Sequence, residues 1–303
     1  MGDHGAAVSG APAGDPPATD ALAHAAGRRF WKASGSGNDF VFLDARAAGS
    51  APDPLETADA IRALCAPHLG IGADGVVFMT AGAQPEAAAA IRYYNSDGSR
   101  ARLCGNASLC AAQMAVELGL AARHLEFGLI TDAGRLAARA GDASAGTIEL
   151  PGATSVRPDE VDARTNGEQR IGFATVGVPH VVVLVEDASK VAIDERGAAL
   201  RRSSPERPDG ANVNFVSAGS TPDGVRGLRT FERGVEGETL ACGTGALATA
   251  ALLTAWGLIA PGTPVALRTA SGRVLTVHPA SGDRVILAGE GRIVYEGTLR
   301  HVR

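Results

Sequence analysis

The sequence predicts an α+β fold of two similar sheet-rich halves, each wrapped around one central buried helix, with a cleft between them. Three observations carry this. Short runs rich in β-branched and aromatic residues, bounded by Gly, Asp and Ser, recur along the chain and read as strands. Two helical segments, residues 107–118 and 245–256, are apolar almost all round, the first keeping only a narrow stripe at Gln113 and Glu117. A helix of that kind is buried. Each follows a matching segment, Leu103-Cys104-Gly105-Asn106 in one case and Ala241-Cys242-Gly243-Thr244 in the other.

In chain order, residues 1–28 are rich in Ala, Gly, Pro and Asp without a basic start or an apolar core, and read as a disordered tail. Arg28-Arg29 opens no export signal, because Ala33-Ser34-Gly35-Ser36-Gly37 follows where an apolar stretch is required. The first half then offers strands at 40–43, 75–79 and 90–94, a helix at 54–65 and the apolar helix at 107–118. A strand-like Thr147-Ile148-Glu149-Leu150 runs into Pro151-Gly152, which marks the boundary and gives halves of 29–149 and 150–288. The second half has strands at 180–185, 213–216, 274–277 and 285–287 around the helix at 245–256. Tyr94-Asn95-Ser96-Asp97-Gly98 leads into the first Cys-Gly segment and Phe231-Glu232-Arg233-Gly234-Val235 into the second, each an aromatic residue, polar residues and a turn. The pattern reads as an internal duplication.

A chain of 303 residues with 45% hydrophobic and 20% charged residues has ample material for a core and is expected to be soluble and globular. A net charge of -5 without a Lys/Arg cluster argues against nucleic-acid and membrane partners. The longest apolar run, 246–255, falls short of the ~20 residues of a membrane span. Cys65, Cys104, Cys110 and Cys242 lack the paired short spacings of a zinc site and are too sparse for a disulfide scaffold. Reduced thiols in the cytoplasm, no metal, and a small molecule or another protein as partner are the expectations.

The chemistry is expected at the two helix starts. Free N–H groups and the positive end of the helix dipole make such a start an anion site, and the same field favours a thiolate. Gly105 and Gly243 let a ligand approach the backbone closely, while Asn106 and Thr244 add a side-chain donor or cap. Two such starts facing each other would hold a carboxylate with a sulfur on either side. That arrangement suits removal of a proton from one face of an α-carbon and its return to the other, one thiol acting as base while its partner acts as acid. For either segment alone a buried core cysteine is an equally good reading; the pair favours catalysis.

These residues resemble the diaminopimelate epimerase family, of the cofactor-independent amino-acid racemase group. The resemblance runs through Gly35-Ser36-Gly37-Asn38-Asp39-Phe40, Gly70-Ile71-Gly72-Ala73-Asp74-Gly75, Tyr94-Asn95-Ser96-Asp97-Gly98-Ser99, Cys104-Gly105-Asn106, Pro179-His180, Asn212-Val213-Asn214-Phe215, Glu232-Arg233-Gly234, and Gly237-Glu238-Thr239 through Gly245. It implies a two-domain fold with the site in the cleft, residues 289–303 returning to the first half, and no cofactor. It also implies Cys104 and Cys242 as the acid/base pair. The amides of Gly105, Asn106, Gly243 and Thr244 would then hold the reacting carboxylate. Asn38, Asn95, Asn212 and Arg233 would hold the distal amino-acid end, with Arg233 suited to a bidentate grip. Glu232 and His180 would support the reacting centre, Glu232 at the substrate ammonium. Val178 stands where the family often has Asn, Gly75 where it often has Gln, and 106–110 lacks a frequent basic residue.

The expected activity is interconversion of LL- and meso-2,6-diaminoheptanedioate, serving lysine and peptidoglycan precursor synthesis, in a protein able to form a homodimer. Two alternatives stand beside it: a racemase of the proline or hydroxyproline type, and a non-catalytic amino-acid binding protein on the same fold. Asp39, Asp74 and Asp97 lie in Gly-rich loops and read as turn caps. Cys65 and Cys110 read as core.

Overall fold

The computed structural model describes residues 25–49, 51–84, 86–159, 164–165, 167–202 and 209–300. Most of the expected tail lies outside the described residues, but three of its last four positions are tied to the fold. Ala25 is fully buried, Gly27 N–H donates to Leu299 O, and Arg28 pairs with the buried Asp53 at 2.9 Å. Low hydrophobicity of the tail hides this, because the contacts are long-range.

The first half comprises β1 (Arg29–Gly35), β2 (Asn38–Asp44), α1 (Ala58–Cys65), β3 (Gly75–Ala81), β4 (Ala87–Asn95), β5 (Arg100–Ala101), α2 (Gly105–Glu117), β6 (Phe127–Thr131), β7 (Gly134–Ala140) and β8 (Ala145–Pro151). β9 (Thr154–Arg157) links it to the second half. There follow β10 (Glu168–Val176), β11 (Val178–Val185), α3 (Ile193–Arg201), β12 (Asn212–Ser217), β13 (Arg226–Glu232), β14 (Gly237–Thr239) and α4 (Gly243–Ala255). The chain closes through β15 (Val265–Arg268), β16 (Val274–Pro279), β17 (Arg284–Glu290) and β18 (Arg292–Thr298).

The duplication extends to individual registers. Phe40 is the first residue of β2 paired in parallel with β3, opposite Gly75; His180 is the first of β11 paired in parallel with β12, opposite Asn212. Val77 faces Tyr93 as Asn214 faces Thr230, and Tyr93 faces Ala101 as Thr230 faces Thr239. β4 and β6 are parallel, as are β13 and β15. The halves also exchange closing strands: β9 pairs with β10, β18 pairs with β1, and β8 joins β17 from Ala145↔Glu290 to Pro151↔Arg284.

α2 and α4 are the cores around which these sheets curl. Gly105 to Ala115 are all buried, and α4 buries Ala246, Leu247, Ala248, Leu252 and Leu253 within the same large cluster. Both helices start two residues earlier than the sequence suggested, at glycines that are poor helix formers, because the preceding cysteine is the N-cap in each. α1 starts later than expected, at Ala58, where Thr57 accepts from Ala60 N–H at 3.3 Å.

Candidate active site

The starts of α2 and α4 touch. A Cβ built on Gly105 would stand 3.8 Å from Gly243 Cα, one on Gly243 would stand 3.7 Å from Gly105 Cα, and Leu287 of β17 packs against both positions. The tighter contact at both positions is with Leu287 Cδ2, at 3.3 Å from a Cβ on Gly105 and 3.0 Å from one on Gly243, so a side chain at either would press on Leu287. In front of them opens a cavity of about 770 Å³ lined from both halves, with Cys104 and Cys242 in its wall. That size suits a small-molecule ligand.

Both cysteines occupy the N-cap position of their helix, and the Cys242 side chain makes the cap hydrogen bond whereas that of Cys104 makes none. Cys242 is buried, and its sulfur accepts from Gly245 N–H at 3.3 Å and lies 3.5 Å from Thr244 Oγ1. Burial pushes its thiol well up, and the neighbouring Glu232 carboxylate raises it further, against the pull of Thr244 and the Gly245 amide. Burial pushes Cys104 up to about 11, while the Ala107 and Asn106 amides oppose that. Burial raises Glu232 as well, and its hydrogen bond with Cys242 opposes the shift. The resting site therefore holds two protonated thiols beside donors that would stabilise a thiolate.

Ten of the residues proposed from sequence line this cavity: Asn38, Asn95, Cys104, Gly105, Asn106, Glu232, Arg233, Cys242, Gly243 and Thr244. Asn212 and His180 do not. Asn212 is buried behind the wall, where its Oδ1 accepts from Arg233 N–H at 2.9 Å. His180 is fully buried on the adjoining strand, and burial followed by Arg233 holds its imidazole down at about 3. The Arg233 guanidinium has no hydrogen-bond or ion-pair partner among the described residues, so it is free for an anion.

The structure adds Asp74, read from sequence as a turn cap. Its Oδ2 accepts from Asn38 Nδ2 at 2.9 Å and Asp39 N–H at 3.1 Å, within the cavity wall. Asn38 Oδ1 accepts in turn from Asn106 Nδ2 at 2.7 Å, and that same nitrogen donates to Ala241 O at 3.2 Å across the cleft. Asp39 pairs with the buried Lys32 at 2.6 Å, and Lys32 also donates to Gly72 O. No spacing in sequence signals this chain, since its members meet only through β1, β2 and the loop before β3.

The two departures from the family pattern also acquire places. Val178 is the register counterpart of Asn38, and Gly75 that of Asn212, so each half keeps one of the two amides. A Cβ at Gly75 would overlap Tyr94 O and come within 2.6 Å of the Tyr93 ring. The ring takes the space a longer residue needs.

Comparisons with known proteins place the chain in a family. The family model described as diaminopimelate epimerase matches residues 30–149 and 172–294. A diaminopimelate epimerase of Gemmatimonas aurantiaca is 45% identical over 282 residues, 89% of this chain and 98% of that one. One of Aquifex aeolicus is 39% identical, covering 89% and 97%. Among solved structures, a PhzF-family phenazine biosynthesis protein of Bacillus anthracis superposes with a TM-score of 0.68 at 15% identity, over 90% of this chain and 98% of that one. A hydroxyproline epimerase of Agrobacterium vitis does so with a TM-score of 0.64 at 20% identity, over 90% of each chain. These two share the fold, whereas the family match and the sequence relatives reach further: the chain belongs to the diaminopimelate epimerase family.

Proposed function

We propose that the cavity interconverts LL- and meso-2,6-diaminoheptanedioate by proton transfer between the α-carbon and the two thiols. The observation that carries this is the placement of Cys104 and Cys242 as N-caps of two touching helix starts in one cavity wall. The amides of Gly105, Asn106, Gly243 and Thr244 would hold the reacting carboxylate, and the positive field there favours the carbanionic charge that develops at the neighbouring carbon. One thiol first releases its proton to solvent and, as thiolate, takes the α-proton; the other delivers its own to the opposite face. Glu232, beside Cys242, would hold the substrate ammonium and support that thiol. Arg233, Asn38, Asn95 and Asn212 would fix the distal amino-acid end, Asn212 through the Arg233 backbone. His180 would support the reacting centre from behind the wall. The proline-type and non-catalytic alternatives are not favoured by the family assignment.

Residues 29–149 with 289–303, and 150–288, serve as the two halves of the site, supported by the pairing of β18 with β1; residues 301–303 lie outside the described residues. Among the described residues no helix is long and apolar enough to cross a membrane. Four free cysteines support a reducing, cytoplasmic location. A homodimer would use β18, whose Val294 and Tyr295 are exposed; sedimentation of the full chain checks it.

Turnover in deuterated water tests the reaction. Epimerisation should carry solvent deuterium onto the α-carbon, and Cys104→Ala and Cys242→Ala should each abolish it almost as completely as the double variant, because the thiols act as a unit. Full activity in either single variant would overturn the proposal.

A further inference from the structure

The two halves place the same three strand positions beside the start of each central helix and fill them with opposite chemistry. In the first half they are Phe40, Val77 and Tyr93, all buried, with the Phe40 and Tyr93 rings edge-on at 5.9 Å. In the second half the registers equate them with His180, Asn214 and Thr230, also buried. The first half shows that this scaffold accepts a largely apolar, aromatic filling. Burying a polar trio costs desolvation free energy that the fold itself does not require.

Hydrogen bonds fix the identity of every atom in the trio. Asn214 Nδ2 donates to Val181 O at 3.0 Å, and a carbonyl can only accept, so the amide orientation is determined. Its Oδ1 accepts from Thr230 Oγ1 at 3.0 Å. The second Nδ2 hydrogen faces His180 Nδ1 at 3.2 Å, which must present its lone pair. Nε2 then carries the ring proton, and that buried atom has no partner among the described residues. α4 makes room for the amide: a Cβ on Gly245 would overlap Asn214 Oδ1, whereas the equivalent first-half position is Ala107.

We infer that Asn214 is a positioning residue that holds His180 as a neutral imidazole with its proton on Nε2, so that this buried nitrogen presents a hydrogen-bond donor and not a base. Charging the ring would set Nδ1–H against the Asn214 N–H, and burial and Arg233 oppose the charge as well. The inference deepens the epimerase reading and rests on it only where activity is measured; the tautomer belongs to the resting protein.

Nitrogen NMR of the full chain labelled in histidine, with the His180 signals assigned by their loss in His180→Gln, reads the tautomer directly. Around neutrality Nε2 should be protonated and Nδ1 bare. In Asn214→Val that preference should be lost and kcat/KM should fall on the order of tenfold or more. Thr230→Val should move both readouts less but in the same direction, and Thr230→Ser should restore them. Protonation at Nδ1, an ordinary histidine titration in the parent protein, or an unchanged tautomer in Asn214→Val would overturn the inference. If Asn214→Val does not fold, the Thr230→Val and Thr230→Ser comparison decides. Absence of diaminoheptanedioate turnover in the parent protein would sink the epimerase reading while leaving the tautomer result standing.

Discussion

Asn106 Nδ2, at the start of α2, lies 3.2 Å from the carbonyl oxygen of Ala241, the residue before Cys242 in the other half. One side-chain amide thus spans the cleft beside both thiols, and it also holds Asn38 at 2.7 Å.

Removing that amide should loosen both thiols together. Asn106→Ala leaves Ala241 O and Asn38 Oδ1 without their donor, at a cost of about 1–3 kcal/mol. Urea melts should report that loss alongside a fall in kcat/KM. Asn106→Asp should be worse, since it sets a carboxylate against two acceptors; an Asp variant as good as the parent would contradict the assignment.

The resting thiols should alkylate slowly at neutral pH. Burial raises Cys104 to about 11 and Cys242 well above its ordinary value, so the reactive thiolate is scarce in both. Labelling by iodoacetamide, followed by peptide mass spectrometry, should accelerate about tenfold per pH unit above neutrality, with Cys104, the less buried of the two, reacting before Cys242. A plateau near neutrality would show a preformed thiolate.

Stability should decline on mild acidification. His180 is held at about 3 in the fold against an ordinary 6.5, so between those values the unfolded chain binds a proton that the folded chain refuses. Its contribution is present above 6.5 and is lost as pH falls toward 3, while Glu232, raised by burial, works in the opposite sense. Tm followed from about pH 7 to 5.5 should fall, and His180→Phe, copying Phe40, should flatten that slope. The thiols act at the alkaline end: raised in the fold, they favour it below about 9 and lose that contribution as pH rises further.

Gly75→Ala should destabilise the first half. Its methyl group meets Tyr94 O and the Tyr93 ring, an overpacking cost of about 1–3 kcal/mol. Combining it with Tyr93→Ser should recover the part due to the ring, measured as the coupling in a double-mutant cycle. Strict additivity would show that the ring is not the obstacle.

What the sequence revealed was local and periodic. The apolar circumference of α2 and α4 identified the two cores, and the repeated Cys-Gly segments located the thiols within one cavity. β1 stayed hidden because Lys32 interrupts its apolar pattern, and only Asp39 and Gly72, brought in by the fold, make burying it tolerable. α3 stayed hidden because Gly197 weakens its helical pattern; that glycine exists to let Phe231 of β13 approach within 2.5 Å of a would-be Cβ. Asp74 and Asn214 take their meaning from Asn38 and His180, each more than thirty residues away along the chain, and no neighbour in sequence announces either pairing.

The touching glycines have an electrostatic consequence. Each helix start carries about half a positive charge, and two starts brought together repel each other. The two halves therefore repel slightly where Gly105 meets Gly243. A bound carboxylate becomes the counter-charge that lets the two starts attract a common centre, so small carboxylates should tighten the halves against each other as well as occupy the space between them.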